Sequence, residues 1–134
     1  MNLLDENISE SQRRLLQGWR IRVRQIGVDL GRSGMNDEEI ISLLHRLPRV
    51  TFFTRDLGFY RRELCHANYS IVCLAVGPYE AASFIRRFLH HAALNTRAKR
   101  LGRVLLVTHG GIRLWQLNAA KEEALTWQDK TNSR

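Results

Sequence analysis

Acidic side chains in three separate segments are the residues of this sequence best suited to chemistry. They are Asp5 and Glu6, Asp37 and Glu38, and Asp56. Like charges that meet at one place repel each other unless a cation offsets them, and carboxylate oxygens suit Mg²⁺ or Mn²⁺. Such a cluster, with one or two metal ions, can activate a water molecule and stabilise the charge that develops during phosphodiester hydrolysis.

Each acid also has a structural explanation when it is considered alone. Asp37 and Glu38 are favoured at a helix N-terminus, where the helix dipole stabilises negative charge, and Asp56 is also suited to a turn. No Ser-His-Asp or Cys-His pattern competes with the acids. The five histidines are scattered, and His109, which precedes two glycines, is the one we single out for mutation.

Basic residues outnumber acidic ones, 21 to 13, and the formal charge of +8 favours contact with polyanions. The stretch from 86 to 103 has six Lys and Arg residues and no acid, which is typical of a solvated surface or of a strip that binds a nucleic-acid backbone. The predicted RNA contacts are Arg55, Arg86, Arg87, Arg97, Lys99 and Arg100. A second basic group consists of Arg13, Arg14, Arg20, Arg22 and Arg24.

The elements that would position these residues begin with an apolar run over residues 1–4, which predicts a strand that ends at Asp5. Ser9 with Gln12 forms a capping-box pattern, which predicts a helix there. Residues 20–24 alternate arginines with apolar side chains, which predicts a half-exposed strand.

The middle of the chain repeats this alternation of strand and helix. Asn36 with Glu39 predicts a second capping box and a helix that ends at Pro48. Residues 50–54 and 70–76 are apolar and rich in β-branched side chains, which predicts two buried strands.

The C-terminal part adds a helix and a hairpin. Pro78 suits the first position of a helix, and the strand-like runs 103–108 and 112–117 flank a turn with two glycines. The polar segment 118–134 is predicted to form a C-terminal helix and tail. We therefore expect one domain over residues 1–117.

The order of these elements predicts an α/β fold with a mostly parallel sheet and an antiparallel C-terminal hairpin. In parallel sheets, ligands bind beyond the carboxyl ends of the strands, because loops converge there and helix N-termini point toward them. The three acidic segments would all lie at that edge of the sheet.

Bulk properties exclude several classes of protein. No apolar run approaches the ~20 residues that cross a bilayer, and the N-terminal segment lacks an export signal, so we expect no membrane contact and a cytoplasmic location. Cys65 and Cys73 are too few for a disulfide framework and lack zinc-ligand spacing, which predicts buried free thiols.

Three sequence blocks resemble the motifs of PIN-like proteins, the compact bacterial relatives of PIN-domain ribonuclease toxins. The blocks are Leu3-Leu4-Asp5-Glu6-Asn7-Ile8-Ser9, Asn36-Asp37-Glu38-Glu39-Ile40, and Thr54-Arg55-Asp56 followed by Phe59. The resemblance extends from residue 1 to about 117. It implies a three-layer α/β/α sandwich, Mg²⁺- or Mn²⁺-dependent endoribonuclease activity on an RNA substrate, and a toxin role beside a cognate antitoxin protein.

By motif position, the resemblance makes Asp5, Asp37 and Asp56 the catalytic residues and metal ligands, with Glu6 and Glu38 as further metal ligands. One position departs from the pattern. Such proteins commonly carry another acid two residues after the third-block aspartate, and this chain has Gly58 there. This difference would weaken a second metal site, shift the substrate or mark an inactive relative.

Two other classes of function fit parts of the sequence. A non-catalytic module would use the same basic strip to hold RNA or a protein without cleaving it. A phospho-accepting receiver domain would also place acids after its first and third strands, but the predicted strand 103–108 leads into His109 where a receiver requires a lysine. Trp127 in the polar tail is a candidate for a homodimer or partner contact.

Overall fold

A seven-stranded sheet runs through the computed structural model of this chain, which describes residues 1–127. The strands are β1 (Asn2–Leu4), β2 (Arg24–Gln25), β3 (Val50–Thr54), β4 (Tyr69–Leu74), β5 (Arg103–Thr108), β6 (Gly111–Gln116) and β7 (Glu123–Leu125). Their spatial order is β2-β1-β3-β4-β5-β6-β7. The pairs from β2 to β5 are parallel and the last two pairs are antiparallel. The predicted α/β fold with a mostly parallel sheet and an antiparallel C-terminal hairpin is confirmed.

The helices are α1 (Glu10–Gly18), α2 (Asp37–Arg46), α3 (Ala81–His90) and the single turn α4 (Arg97–Arg100), with 3₁₀ turns at Leu57–Phe59 and Arg62–Leu64. Helix α2 begins at the predicted capping box. The Asn36 side chain accepts a 2.9 Å hydrogen bond from Glu39 N, and the Glu39 carboxylate accepts one of 3.0 Å from Asn36 N. Among residues 1–127, no helix has both the length and the apolar character required to span a bilayer.

The first predicted capping box does not form. Ser9 lies at the N-cap of α1 without a capping hydrogen bond from its side chain. Gln12 Oε1 instead accepts a 2.8 Å hydrogen bond from Ala82 N in the first turn of α3. That amide is buried and has no partner within its own helix. The hydrogen bond to Gln12 therefore stabilises the fold more than a capping bond at the start of α1 would. Helix α3 begins at Ala81 and not at the predicted Pro78.

The predicted strand over residues 20–24 is wrong in its bounds, because only Arg24 and Gln25 pair with β1. Arg20 has a left-handed φ of 64°, which interrupts an extended backbone. The Asn2 side chain donates a 3.1 Å hydrogen bond to Arg22 O in place of a strand pairing. The alternating exposure is nevertheless present, with Ile21 and Val23 half-buried between exposed arginines.

The C-terminal prediction of a helix is wrong for residues 118–127, where the chain forms strand β7 against β6. The sheet therefore extends past residue 117, the predicted end of the domain. Trp127 Nε1 donates a 2.7 Å hydrogen bond to Thr108 O, and its ring contacts Phe84. The remainder of the predicted tail, 128–134, lies outside the described residues.

Two hydrophobic clusters take alternate residues of the strands. One contains Leu4, Phe53 and Val72 together with apolar side chains of α1 and α3. The other contains Leu3 and Phe52 together with apolar side chains of α2. Successive strand residues point to opposite faces, so the clusters cover both faces of the sheet.

We call the edge where β1, β3, β4 and β5 end the carboxyl edge, and the edge where they begin the amino edge.

Candidate acidic site at the carboxyl edge

Asp5 is held directly beyond the end of β1. Its backbone N donates a 2.8 Å hydrogen bond to Phe53 O of the neighbouring strand, which continues the parallel pairing by one residue. Its carboxylate accepts hydrogen bonds at both oxygens, from Glu6 N at 2.7 Å and from Thr54 Oγ1 at 2.6 Å. Asp5 is only 7% exposed, so these two donors fix the direction of a nearly buried carboxylate.

Thr54 joins the first and third motif blocks. Besides donating to Asp5, its Oγ1 accepts a 2.9 Å hydrogen bond from Asp56 N. The Asp56 carboxylate in turn accepts a 2.9 Å hydrogen bond from Gly58 N, which caps the 3₁₀ turn that comes next. One buried hydroxyl therefore ties both candidate ligand segments together at the carboxyl edge.

Asn7 adds a second connection between the same blocks. Its Nδ2 donates to Thr54 Oγ1 at 3.4 Å, and its Oδ1 accepts from Arg55 N at 3.2 Å. The sequence prediction gave neither Asn7 nor Thr54 a role. The only sequence signal for such a role was their position within two residues of a predicted acid in the same block.

Glu6 connects the end of β1 to the loop before α2. Its Oε1 accepts a 2.9 Å hydrogen bond from Gly34 N. That backbone donor, followed by the Ser33 hydroxyl, lowers the pKa of the exposed Glu6 carboxyl. Gly34 has a φ of +78°, a conformation that glycine adopts without strain. The loop that carries the second motif block therefore approaches the first block through Glu6.

Asp37 and Glu38 lie exposed in the first turn of α2, immediately after this loop. Within residues 1–127 their side chains form no hydrogen bond or ion pair, and no three His, Cys, Asp or Glu side chains are grouped to hold a metal ion. The structure thus brings Asp5, Glu6 and Asp56 to the carboxyl edge. The second-block acids, Asp37 and Glu38, lie near that edge, but their side chains do not contact these three acids.

Electrostatic interaction between the acids follows from this placement. Burial raises the pKa of Asp5, the hydrogen bonds from Thr54 and Glu6 N oppose the shift, and the charges of Asp56 and Glu6 raise it further. Burial also raises the pKa of the Cys73 thiol to about 12, with the Asp56 charge as a second cause. Negative charge at this edge is therefore only partly offset by hydrogen-bond donors.

Arg55 is the predicted RNA contact that lies beside the acids. Its Nε and Nη2 donate to Val76 O at 3.4 and 3.3 Å, which lays the half-buried side chain across the ends of β3 and β4.

Further along this edge, Glu80 accepts from Gly77 N at 2.8 Å and contacts His109 Nε2 at 2.9 Å. Glu80 was missed, although its place in the loop after a parallel strand marks it for this edge.

The other predicted RNA contacts are largely engaged within the protein. The Arg86 guanidinium lies 3.7 Å from the centre of the Trp19 ring, and the Arg87 guanidinium lies 4.4 Å from that of Trp127. Lys99 Nζ donates to Ala92 O at 2.8 Å and to Asn95 Oδ1 at 3.0 Å. These contacts reduce the freedom of the cationic groups to meet a ligand.

Arg97 and Arg100 lie at the amino edge, opposite the acids. Arg100 is buried, and its Nε donates to Thr51 Oγ1 near the start of β3 while its Nη1 donates to Leu94 O. Burial lowers the pKa of the Met1 amino group, and the charges of Arg97 and Arg100 lower it further, which locates both near the start of β1. The predicted strip is therefore not brought to the acidic site.

The carboxyl-edge site thus combines Asp5, Glu6 and Asp56 with the two residues that fix them, Thr54 and Asn7. Its donor atoms are carboxylate and hydroxyl oxygens, the type that hard divalent cations prefer. No protein-family model, no curated protein and no solved structure matches this chain.

Proposed function

We propose that this chain is a metal-dependent endoribonuclease with a PIN-like three-layer α/β/α sandwich fold. One observation carries the proposal: the Thr54 hydroxyl joins Asp5 and Asp56 at the ends of adjacent parallel strands. The hydroxyl bonds the carboxylate of Asp5 and the backbone N of Asp56, so it orients one acid and fixes the backbone that carries the other. The sequence resemblance to PIN-like proteins assigns the same two aspartates to the metal site.

The donor set fits Mg²⁺ or Mn²⁺ by its chemistry. The described acids are not grouped around one point in this structure, so the side chains of Asp5, Glu6 and Asp56 would have to turn toward the metal to hold it, together with those of Asp37 and Glu38 from the first turn of α2. When bound, the metal supplies an activated water molecule and stabilises negative charge on the phosphodiester. Burial raises the pKa of Asp5, and the charges of Asp56 and Glu6 raise it further, so a bound cation would stabilise the charged form of this carboxyl.

The protein's own residues contribute orientation and charge. Thr54 and Glu6 N hold the Asp5 carboxylate in one direction, and Asn7 fixes the backbone of Arg55. An arginine side chain has five N–H donors, and two nitrogens of Arg55 are used on Val76 O. The remaining donors give Arg55 the capacity to bind a phosphate beside the acids.

The toxin role and the antitoxin partner rest on the sequence resemblance, and we propose a cytoplasmic location together with them. A protein that cleaves RNA inside its own cell requires an inhibitor until cleavage is needed. A cognate antitoxin would meet that requirement. Co-expression of the chain with candidate partners, scored by host growth, tests this part separately from cleavage.

A second candidate function is a non-catalytic PIN-like module that binds RNA or protein. It is favoured by the structural role that each central acid already has. Asp5 accepts two hydrogen bonds, Asp56 caps a 3₁₀ turn and Glu6 binds the loop at Gly34. These bonds are sufficient to retain the acids even without catalysis, so the two functions require a direct test.

The deciding experiment is cleavage of a long, mixed-structure RNA by purified protein in Mn²⁺, with EDTA and Asp56→Asn in parallel. Asparagine retains an oxygen that can accept from Gly58 N, so the turn cap is kept while the charge is lost. We expect Asp56→Asn to reduce cleavage by about 100-fold or more, since even outer-shell partners of metals change activity 10- to 100-fold.

Glu123→Gln on β7 is the matched control, because it removes an exposed acid from the last strand of the spatial order, four strands away from β3. It should cleave like the wild type. Cleavage that persists in EDTA or in Asp56→Asn contradicts the nuclease proposal. An RNA that is bound and stays intact supports the non-catalytic module.

A further inference from the structure

A groove of about 730 Å³ lies beside β2 at the start of β1. Arg20, Arg22 and Arg24 line it, and Ile21 and Val23 lie between them. No acidic residue is among the described residues that line this groove. It is therefore a basic surface that is distinct from the acids of the carboxyl edge. Met1, which lines it, is also near Arg97 and Arg100 of the predicted strip.

The three arginines are exposed and available for a ligand. Within residues 1–127, the guanidinium groups of Arg20, Arg22 and Arg24 form no hydrogen bond, ion pair or ring contact. By contrast, Arg86 and Arg87 cover aromatic rings and Arg100 is buried. The groove thus brings three free cationic groups together, whereas most of the strip that the sequence favoured is engaged within the protein.

The apolar residues of the groove have a structural explanation of their own. Ile21 and Val23 pack against the hydrophobic cluster formed with α1 and α3. That packing turns Arg22 and Arg24 outward on either side of Val23, and Arg20 precedes them in the left-handed turn that ends α1. Arginine binds phosphate oxygens in a bidentate manner, so three guanidinium groups on one groove suit a phosphodiester backbone.

The groove is close to the acidic site along the sheet. Arg24 pairs with Leu3 in β1, two residues before Asp5, a distance of about 7 Å along a strand. The next residue, Gln25, donates a 3.1 Å hydrogen bond from Nε2 to Asp5 O. One RNA strand can therefore occupy the groove and the acidic site together. An acidic protein segment would bind the arginines of the groove alone, and the nearby acids would have no part in its binding.

From these observations we infer that Arg20, Arg22 and Arg24 form a binding groove for a single-stranded RNA backbone that leads to the acidic site. The choice of RNA as the polymer rests on the proposed function. Binding at the groove, however, requires neither metal nor cleavage. It is therefore measured in EDTA, where a failure of the nuclease proposal does not affect the result.

The experiment measures binding of a fluorescein-labelled 12-nucleotide oligouridine by anisotropy across a series of salt concentrations. The groove variant is Arg20→Gln/Arg22→Gln/Arg24→Gln. The charge-matched control is Lys99→Gln/Arg103→Gln/Lys121→Gln, which removes three charges from residues that do not line the groove, two of them in the predicted strip. Circular dichroism and thermal melting check that both variants fold. The check is needed most for the control, because Lys99 and Arg103 form hydrogen bonds within the protein.

We expect the groove variant to bind about tenfold more weakly or worse at low salt, and its salt slope to fall by about 2, because three phosphate contacts are lost at ~0.7 each for single strands. The control should keep most of the affinity. Equal losses in the two variants would show that net charge governs binding and overturn the inference. Displacement of the RNA by polyglutamate at equal charge would also overturn it, in favour of an acidic protein partner.

Discussion

Thr54 Oγ1 donates a 2.6 Å hydrogen bond to Asp5 Oδ2 where strands β3 and β1 end side by side. The same oxygen accepts a hydrogen bond from Asp56 N. Because Asp5 is nearly buried, this hydroxyl replaces water at a carboxylate oxygen. The bond therefore couples the stability of the sheet edge to the geometry of the candidate site.

Replacing Thr54 by valine tests that coupling. Valine keeps the β-branched shape, and it leaves an oxygen of a nearly buried carboxylate without its donor. We expect the free energy of unfolding to fall by about 1–3 kcal/mol in urea denaturation. Thr54→Ser is the control, since it keeps the hydroxyl and loses only a methyl group. A valine variant as stable as the wild type would show that the hydroxyl does not support Asp5.

The two capping-box patterns predict unequal effects of matched substitutions. Asn36 receives a capping hydrogen bond from Glu39 N, whereas Ser9 receives none. We expect Asn36→Ala to lower the free energy of unfolding by about 1 kcal/mol, and Ser9→Ala to change it by less than about 0.5 kcal/mol. Urea denaturation of both variants measures the difference. A larger loss in Ser9→Ala would contradict the observed capping.

This pair shows how far sequence patterns predict the fold. The parallel sheet, α2 and the hairpin were predictable, because hydrophobic periodicity and turn residues act locally. The same motif at Ser9 does not form a capping box, because the Gln12 side chain accepts a hydrogen bond from a buried amide of α3, seventy residues away. Strand β7 was also missed, since it is only three residues long, lies in a mostly polar segment and forms by pairing with β6.

The positions of Asp5, Glu6 and Asp56 at the carboxyl edge were predictable from the sequence. The residues that orient these acids were not. The topology of parallel strands brings Asp5 and Asp56 to one edge, so their positions follow from the order of elements. The roles of Thr54 and Asn7 depend on which strands are neighbours. The functions of the arginines depend on nearby rings and carbonyls, as Arg100 shows, and such contacts leave no periodic pattern in the sequence.

Arg100 should stabilise the fold more than any exposed basic residue of the same helical turn. Its guanidinium bonds Thr51 Oγ1 at 3.1 Å and Leu94 O at 2.8 Å. Arg100→Met keeps much of the aliphatic bulk, removes the donor to buried Leu94 O and leaves Thr51 Oγ1 with the Ser70 hydroxyl alone, so we expect a loss of about 1–3 kcal/mol. Arg97→Met, at an exposed position, should change stability by less than about 0.5 kcal/mol. Thermal melting that ranks the two variants in the opposite order contradicts this prediction.

Cys73 should resist thiol reagents in the folded protein. Its side chain is fully buried, and burial, with the Asp56 charge, raises its pKa to about 12. At pH 8 only about 1 in 10⁴ such thiols is ionised, and the thiolate is the form that reacts. Iodoacetamide labelling followed by peptide mass spectrometry should modify the half-buried Cys65 before Cys73. Equal labelling in denaturant is the control for intrinsic reactivity.

The same pKa shift predicts a loss of stability at alkaline pH. A thiol with a pKa of about 12 when folded and about 8.5 when unfolded keeps its proton in the native state while the unfolded chain releases it. The stabilisation is therefore complete below about pH 8.5 and decreases as the pH rises toward 12. Urea denaturation at pH 7 and pH 10.5 should show a smaller alkaline loss in Cys73→Ala than in the wild type. Equal losses in the two proteins would assign the alkaline sensitivity to other groups, such as Tyr69, whose pKa is also raised by burial.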